Sequence, residues 1–300
     1  MFVDLVKKNK FIILFLFLCF NCLFNSSLKA NPTFIDGTVV DDRGGDDNTA
    51  AEQFTSGLSF NNDGTKMYIV GTFSDDVHEF TLTTPFDIST RTYDAGDSYD
   101  LDNKSGTPTS VKFNNDGTKM YMLGFSQDIH EYSLPAFDVS EASFEQSKTL
   151  TEITNLKPKD LEFNSDGTKM FIFDTSNIYV YTLSTAFDIS TASHDDTVSV
   201  SDFEDEATGF AFSDDGTVMF TLGRKDKKVN EFYLSTGFDL TTASHVSSFD
   251  IEPKDTHPKG IGFNDDGSKM FFLGNENDSV YEYTLVSNYK IGRAHVWTPV

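Results

Sequence analysis

The sequence feature that most constrains the fold is a short motif, F-[NS]-x-D-G-[ST], which occurs five times. Its glycines are Gly64, Gly117, Gly167, Gly216 and Gly267, so successive copies lie 53, 50, 49 and 51 residues apart. A fixed period near 50 residues is typical of repeat architectures, in which each copy contributes one structural unit. The chain is therefore predicted to be an array of one repeated unit.

Each unit reads as four short strands. An alternating run such as 110–113 precedes the motif, whose Asp-Gly pair is expected to supply the positive φ angles of a tight hairpin turn. A second strand such as 66–70 and a third such as 77–82 follow, then a Phe-Asp-Ile-Ser turn at 86–89 and a weaker fourth strand, as at 244–251. This pattern predicts an all-β fold, a β-propeller of four-stranded blades. A solenoid is the competing repeat fold, although its coils are usually shorter.

The fifth unit carries a family resemblance. Residues 258–267 read PKGIGFNDDG, which is similar to the P-x-G-I-A-F-S-P-D-G element of bacterial propellers with YVTN-type, NHL-type or lactonase-like repeats. The Lys-Met-[Tyr/Phe] and [Val/Ile]-x-Glu-[Phe/Tyr]-x-Leu elements also resemble YVTN-type strands. The resemblance covers about residues 50–285, and Asn, Ser or Asp stands in place of the motif proline. It implies a propeller at the cell surface or in the periplasm and leaves the function open, because these repeats serve many roles.

The strand count predicts how the ring closes. First, second and third strands occur five times, but a fourth strand follows a third strand only four times. Residues 34–40 resemble the missing fourth strand, so the N-terminal strand is predicted to complete the last blade. No Phe-Asp-Ile-Ser turn is recognised after Leu285. Because truncation at a blade boundary would leave the same count, six or seven blades in the intact gene stay open.

Residues 1–30 are interpreted as a secretory signal peptide. Lys7, Lys8 and Lys10 precede an apolar run at 11–24 that is short for a membrane span, although a retained anchor is the alternative. The only cysteines, at 19 and 22, fall in this segment, so the exported chain would lack disulfides and thiolate metal sites. Because four Lys and one Asp would leave with the segment, the net charge would change from −24 to −27.

The C-terminus is interpreted as non-native. Residues 291–300 read IGRAHVWTPV and resemble the translation of a common sequencing adapter. We therefore assign residues 31–289 to the propeller and 290–300 to a non-native segment, and expect 291–300 to pack against nothing.

The net charge limits the class of partner. A formal charge of −24 argues against nucleic acid and against anionic membrane surfaces, since both need clustered Lys and Arg. Protein or carbohydrate ligands stay open, no membrane span is expected after signal cleavage, and the chain is predicted to be a monomer.

Candidate binding residues fall on the predicted face that carries the second-to-third loops and the inter-blade connections. These segments vary among the repeats, whereas the Asp-Gly and Phe-Asp turns are nearly invariant. Carboxylates dominate the variable loops, beside one basic spot; the candidates are Asp75, Asp128, Asp174, Asp205 and Arg224. Either the charges are simply solvated, or the face binds a cation such as Ca²⁺ or a basic or polyhydroxylated partner.

The residues before each first strand are predicted to line the central channel. Lys159, Asp160 and Lys259 are the charged ones, accompanied by hydroxyls such as Ser56 and Thr109. Such a lining suits water, an ion or a small anion. His78-Glu79 and His130-Glu131 occupy repeat positions on the third strand, which predicts a structural role rather than half of a zinc motif.

These patterns favour an exported, non-enzymatic propeller that binds a ligand or partner through its variable face. Two alternatives stay open. One is a lactonase-like hydrolase with a metal in the channel, for which only Asp160 is well placed. The other is a structural module of a longer surface protein.

Overall fold

A computed structural model of the chain describes the following residues: 33–39, 54–72, 74–101, 104, 107–154, 157–202, 206–251, 254–276 and 278–291, with the backbone alone at 33–39, 94 and 95. They form five four-stranded antiparallel sheets arranged as the blades of a closed five-bladed β-propeller, which confirms the predicted fold class. The described residues contain no α-helix, and thus no helix that could cross a membrane.

Twenty strands and four short 3-10 helices follow one another in regular order. The strands are β1 (Thr33–Val39), β2 (Thr55–Phe60), β3 (Lys66–Gly71), β4 (Asp76–Leu82), β5 (Arg91–Asp100), β6 (Pro108–Phe113), β7 (Lys119–Gly124), β8 (Asp128–Ser133), β9 (Ser143–Thr149), β10 (Asp160–Phe163), β11 (Lys169–Phe173), β12 (Asn177–Leu183), β13 (Ala192–Ser199), β14 (Ala207–Phe212), β15 (Val218–Gly223), β16 (Lys228–Leu234), β17 (Ala243–Asp250), β18 (Pro258–Phe263), β19 (Lys269–Gly274) and β20 (Ser279–Thr284). The 3-10 helices are Ile88–Thr90, Val139–Glu141, Ile189–Thr191 and Leu240–Thr242.

The N-terminal strand closes the ring, as the strand count predicts. Blades 1 to 4 are consecutive, from β2–β5 to β14–β17, whereas blade 5 combines β18, β19 and β20 with β1 as its outer strand. Thr33 pairs with Thr284 and Val39 with Ser279 in that antiparallel ladder. Blade 5 also contacts blade 1 directly: the Lys269 Nζ atom donates to the Phe86 carbonyl oxygen at 2.6 Å. This ring therefore closes with five blades and leaves no gap for a sixth.

The Asp-Gly turns differ in one respect from the expectation. Only the glycine has a positive φ, +68° at Gly64, whereas Asp63 does not. The Asp63 carboxylate instead accepts hydrogen bonds from the Thr65 N–H at 3.0 Å and the Thr65 hydroxyl at 2.6 Å. Asn61 spans the turn, since its side-chain oxygen accepts from the Lys66 N–H at 2.8 Å. The motif thus places its polar side chains as turn acceptors, and only glycine supplies the left-handed backbone.

A fifth copy of the Phe-Asp-Ile turn exists after Leu285, contrary to the sequence interpretation. Tyr289 has φ +55°, like Phe86, and its N–H donates to the Gly267 carbonyl at 2.7 Å, as the Phe86 N–H does to Gly64 at 2.9 Å. Ile291 is buried. The expectation that 291–300 pack against nothing is therefore wrong at Ile291; residues 292–300 lie outside the described part of the chain. The sequence concealed this copy because Tyr-Lys-Ile replaces Phe-Asp-Ile.

Neighbouring blades are joined by a repeated polar contact. The buried Glu79 carboxylate on β4 pairs with Lys66 of the same blade at 2.5 Å and accepts the Val139 N–H of the next blade at 3.3 Å. Glu131, Glu231 and Glu282 make the same backbone contact with the turn of the following blade. This confirms the structural role predicted for Glu79 and Glu131.

Apolar side chains fill the space between blades. Each buried cluster draws on two adjacent blades; one, for example, joins Tyr121 and Leu123 of blade 2 to Leu161 and Ile172 of blade 3. Burial of this kind is the main favourable contribution to folding, and it holds the five first strands around the channel.

Candidate functional site

The five first strands place their side chains in three layers along the channel. The layer nearest the variable loops holds Ser56, Thr109, Lys159, Thr208 and Lys259. The middle layer holds Gly57, Ser110, Asp160, Gly209 and Gly260, and the layer nearest the Asp-Gly turns includes Lys112 and Glu162. Each outer layer borders a separate cavity, which we call the loop-end cavity and the turn-end cavity.

The loop-end cavity has a volume of about 270 Å³ and lies where the variable segments meet the starts of the first strands. The residues around it are Phe54, Ser56, Thr72, Thr107, Thr109, Phe125, Lys159, Thr208, Lys259 and Asn275. Thr72, Phe125 and Asn275 come from second-to-third loops, and Thr107 comes from an inter-blade connection. The two kinds of variable segment thus meet at this end of the channel, as the repeat analysis predicts.

Cations concentrate at this cavity in an otherwise acidic protein. Burial, together with the positive charges of Lys259, Lys157 and Arg224, lowers the pKa of Lys159 to about 8, and the charge of Glu206 opposes that shift. Burial and Arg224 also lower the pKa of Lys259. Among the described residues, no carboxylate lies within ion-pair distance of either cavity lysine, and the nearby Arg224 pairs with Glu206 at 3.8 Å. The cavity therefore offers two ammonium groups that have no close counter-ion among the described residues.

Three of the hydroxyl groups in the cavity wall already donate their hydrogens to the backbone. The Ser56 Oγ atom donates to the Pro108 carbonyl at 2.5 Å, and Thr109 and Thr208 donate to the Leu123 and Leu222 carbonyls, each at 3.2 Å. A hydroxyl that donates in this way retains its oxygen lone pairs as acceptors. The wall thus presents acceptors from its hydroxyls and donors from its lysines.

Two aromatic rings stand at the mouth of the cavity. Phe54 is 56% exposed and Phe125 is 42% exposed, which is unusual for Phe. Phe54 has φ +58°, a conformation that is rare for a bulky residue. Its N–H donates a hydrogen bond to the Asp278 carboxylate at 3.0 Å. The Lys159 Nζ atom lies 4.7 Å from the centre of the Phe125 ring.

Asp160, in the middle layer of the channel, is buried and both of its carboxylate oxygens accept hydrogen bonds from protein donors. One carboxylate oxygen accepts from the Ser110 hydroxyl at 2.7 Å and the Leu161 N–H at 2.9 Å, and the other accepts from the Phe210 N–H at 3.0 Å. Burial raises its pKa, and the charge of Lys112 opposes that shift. Asp160 therefore links blades 2, 3 and 4 rather than facing the cavity as a free ligand.

The turn-end cavity is also about 270 Å³ but is built from repeated residues. An ion pair between Lys112 and Glu162, at 2.5 Å, lies at its inner end. Burial raises the pKa of Glu162 to about 7, and the Lys112 charge opposes that rise. The Asn62 amide donates to the Asn115 carbonyl at 2.6 Å, and Asn115 donates to Ser165 at 2.8 Å, so these turn residues bind one another around the rim.

The predicted loop carboxylates do not come together. Asp128 accepts from the Thr149 hydroxyl at 2.6 Å within blade 2. Asp174 is buried and accepts from the Ser176 and Asn177 N–H groups at 2.8 and 2.7 Å. Asp75 has φ +59° and its carbonyl accepts the Leu101 N–H at 3.4 Å. Within the described ranges, no three His, Cys, Asp or Glu side chains form a metal-binding group. Asp205 lies outside the described residues.

Of the predicted candidates, the structure brings Lys159, Lys259 and Arg224 together at one mouth, with Asp160 beneath them. The sequence reasoning missed Phe54 and Phe125. The available signal was an aromatic residue next to the channel in an otherwise polar segment, directly before β2 for Phe54 and directly after β7 for Phe125.

No protein-family model and no curated protein matches the chain. Solved structures that it resembles include a candidate 6-phosphogluconolactonase from Bacteroides uniformis ATCC 8492, with 13% identity, a TM-score of 0.49, and coverage of 79% of this chain and 68% of that one. Another is the β-propeller domain of Cps50 (Swd1) from Myceliophteria thermophila, with 11% identity, a TM-score of 0.47, and coverage of 77% and 83%. Similarities this distant carry no inference about activity.

Proposed function

We propose that the protein is an exported, non-enzymatic binding propeller and that the loop-end cavity is its ligand site, with a small organic anion as the ligand. The observation that carries the proposal is the pair of cavity lysines, neither of which has a close carboxylate in the part of the chain that the structure describes. Export is supported by the N-terminal sequence pattern and by the resemblance of the repeats to surface-layer propellers.

Charge placement supports an anion rather than a cation. Taking a Lys ammonium partly out of water is unfavourable unless an opposite charge compensates it. Here the compensation has to come from outside the described protein groups, because the Asp160 carboxylate below is held by Ser110 and two backbone N–H groups. A bound anion would supply it.

The same charges disfavour the lactonase-like alternative. A divalent metal in the channel needs oxygen ligands that converge on one point. At the mouth of this channel the chain places Lys159 and Lys259, and the oxygens of Asp160 face protein donors.

Titration with acetate, sulfate and inorganic phosphate at constant ionic strength, followed by NMR chemical shifts, tests the site. The wild type should bind at least one of them, and Lys159→Met and Lys259→Met should each weaken that binding about tenfold. Lys148→Met is the matched control, because Lys148 lies on outer strand β9 and donates to the Ser190 carbonyl. Equal weakening in this control, or no binding to the wild type, would overturn the proposal.

The binding should also depend on pH. Because the pKa of Lys159 is about 8, anion affinity should fall as the pH rises from 7 to 9, and Lys159→Arg should reduce that fall since Arg stays protonated.

The non-enzymatic part has its own test. Glucono-1,5-lactone incubated with the protein, with and without added Ca²⁺, should hydrolyse at the buffer rate. Hydrolysis above that rate that Lys159→Met or Asp160→Asn abolishes would support the lactonase alternative instead.

A further inference from the structure

We propose that the ligand of the loop-end cavity is a uronic acid residue, that is, a pyranose ring carrying a carboxylate, free or at the end of an acidic polysaccharide. This inference rests on the proposed function and names its ligand class. It combines the two ammonium groups of the anion site with three observations that a simple anion site does not require: hydroxyls that act as acceptors, exposed aromatic rings and the cavity size.

The hydrogen-bonding capacity of the wall indicates a ligand with several hydroxyl donors. The hydroxyls of Ser56, Thr109 and Thr208 donate their hydrogens to backbone carbonyls, so toward the cavity they can act as acceptors through their lone pairs. Asn275 likewise donates its amide to the Thr55 carbonyl at 3.3 Å, which leaves its side-chain oxygen as an acceptor. Sulfate and acetate have no hydroxyl donors to match these acceptors at neutral pH and phosphate has only one or two, whereas a sugar has several.

The aromatic rim indicates a ligand with an apolar face. Phe54 and Phe125 are exposed at the mouth, and solvent exposure of rings this large is unfavourable unless a ligand covers them. The axial C–H groups of a pyranose form a flat apolar face that can cover a ring. Lys159 lies over the Phe125 ring, so the same side chain can contact a carboxylate while the sugar covers the aromatic rim.

The size of the cavity limits the ligand to about one sugar unit. Pockets that enclose drug-sized ligands typically measure about 300–1,000 Å³. A cavity of about 270 Å³ lies just below that range, and the cavity opens toward solvent on the loop side. One uronic acid residue would fit, and a longer chain would extend outward between the variable loops.

Titration calorimetry with D-glucuronate, D-galacturonate, D-glucose and acetate tests the ligand class on the full chain. We expect at least one uronate to bind about tenfold more tightly than either D-glucose, which lacks the charge, or acetate, which lacks the ring. Trigalacturonate separates the two sources: tighter binding than the monosaccharide indicates a polysaccharide end, and equal or weaker binding indicates a free sugar acid.

Aromatic variants supply the second readout. Phe125→Ala and Phe54→Ala should weaken uronate binding at least about threefold and leave acetate binding unchanged. Phe144→Ala is the matched control, since Phe144 lies on β9 away from the cavity and its side chain is 37% exposed. The Lys104 Nζ atom lies 4.4 Å from the centre of the Phe144 ring, which makes a similar cation–π pair. It should change neither affinity.

The outcomes separate the two proposals. If small anions bind through Lys159 and Lys259 but uronates bind no better, and the Phe variants have no effect, the uronate inference is overturned while the anion site stands. If no anion binds at all, both fail. If D-glucose binds as tightly as D-glucuronate, the carboxylate plays no part and the inference fails on that ground.

Discussion

The two ends of the channel use the same five strands for opposite purposes. At the turn end, Asn, Asp, Gly and Phe recur in nearly every blade and bind one another, as in the contact between Asn62 and Asn115. At the loop end, the residues differ from blade to blade, and the two lysines have no close carboxylate among the described residues. Polar groups that recur in every blade can bind one another, whereas polar groups that occur in only one or two blades remain available to a ligand. Substitutions should therefore destabilise the fold at the turn end and change binding at the loop end.

The largest expected effect is at a turn glycine. Gly64→Ala places a side chain at φ +68° and against the Phe86 ring, so we expect a loss of about 3 kcal/mol in the free energy of unfolding. Gly262→Ala is the matched control, because a Cβ there meets nothing within 4 Å and the backbone is not left-handed. Denaturant unfolding of both variants checks this; similar values for the two would contradict it.

The contact that closes the ring should come next. Glu282→Ala removes the partner of Lys269 at 2.7 Å and the acceptor of the buried Ile88 N–H, so we expect a loss of about 2 kcal/mol. Glu145→Ala, on exposed strand β9, should change stability by less than about 0.5 kcal/mol. If the two variants unfold at the same denaturant concentration, blade 5 does not depend on Glu282 to join blade 1.

The third prediction concerns blade 4, in which a lysine from a different position contacts the buried glutamate. Blade 4 has Val218 where blades 1, 2, 3 and 5 have Lys, and its Glu231 is contacted instead by Lys290, at 3.4 Å. The corresponding turn residue in the other blades is Asp. Lys290→Asp should therefore destabilise the protein by about 1.5 kcal/mol, because it places a like charge near Glu231.

Adding Val218→Lys should restore at least half of that loss, since it recreates the Lys–Glu pair of blades 1, 2 and 5. A double-mutant cycle measures the coupling. Additive effects would show that Lys290 does not substitute for the missing lysine.

At the loop end, Lys159→Met should not destabilise the fold. The pKa of Lys159 falls from 10.5 to about 8 on folding, so its charge opposes folding below pH 8, and this effect disappears as the pH rises toward 10.5. The variant should be equal to or up to about 1 kcal/mol more stable than the wild type at pH 7, after allowance for solvent screening. The difference should shrink between pH 8 and 10; a variant less stable at pH 7 would contradict the comparison.

The smallest effect is expected from salt. With a net charge of −24, the exposed carboxylates repel one another, which destabilises the fold. NaCl should raise the melting temperature slightly, because at 0.1 M the Debye length is about 10 Å and the repulsion between more distant carboxylates is screened. We propose that CaCl₂ at matched ionic strength stabilises modestly more. A sharp rise at micromolar Ca²⁺ would reveal a specific site, for which Asp75, Asp128, Asp174 and Asp205 are the first residues to mutate. No response to salt would contradict the self-repulsion.

The four-stranded unit and the closing strand could be predicted from the sequence, because a fixed period and a glycine-dependent turn leave few alternatives. The blade count could not, since truncation at a blade boundary would leave the same number of repeats. The sequence also located Lys159 and Lys259 on the channel, since repeat alignment places equivalent residues at equivalent positions. It did not reveal the fifth turn at Tyr289, where the residue types change but the backbone geometry is kept.

Which charges remain available to a ligand depends on tertiary contacts and could not be predicted from the sequence. Asp160 and Lys159 are neighbours in sequence, yet Asp160 accepts hydrogen bonds from donors in blades 2 and 4, whereas Lys159 lines the cavity and lies over the Phe125 ring. Such assignments depend on contacts between residues about 50 positions apart. A local pattern specifies the turn and the strand, but it carries no information on which partners the ring brings within hydrogen-bond distance.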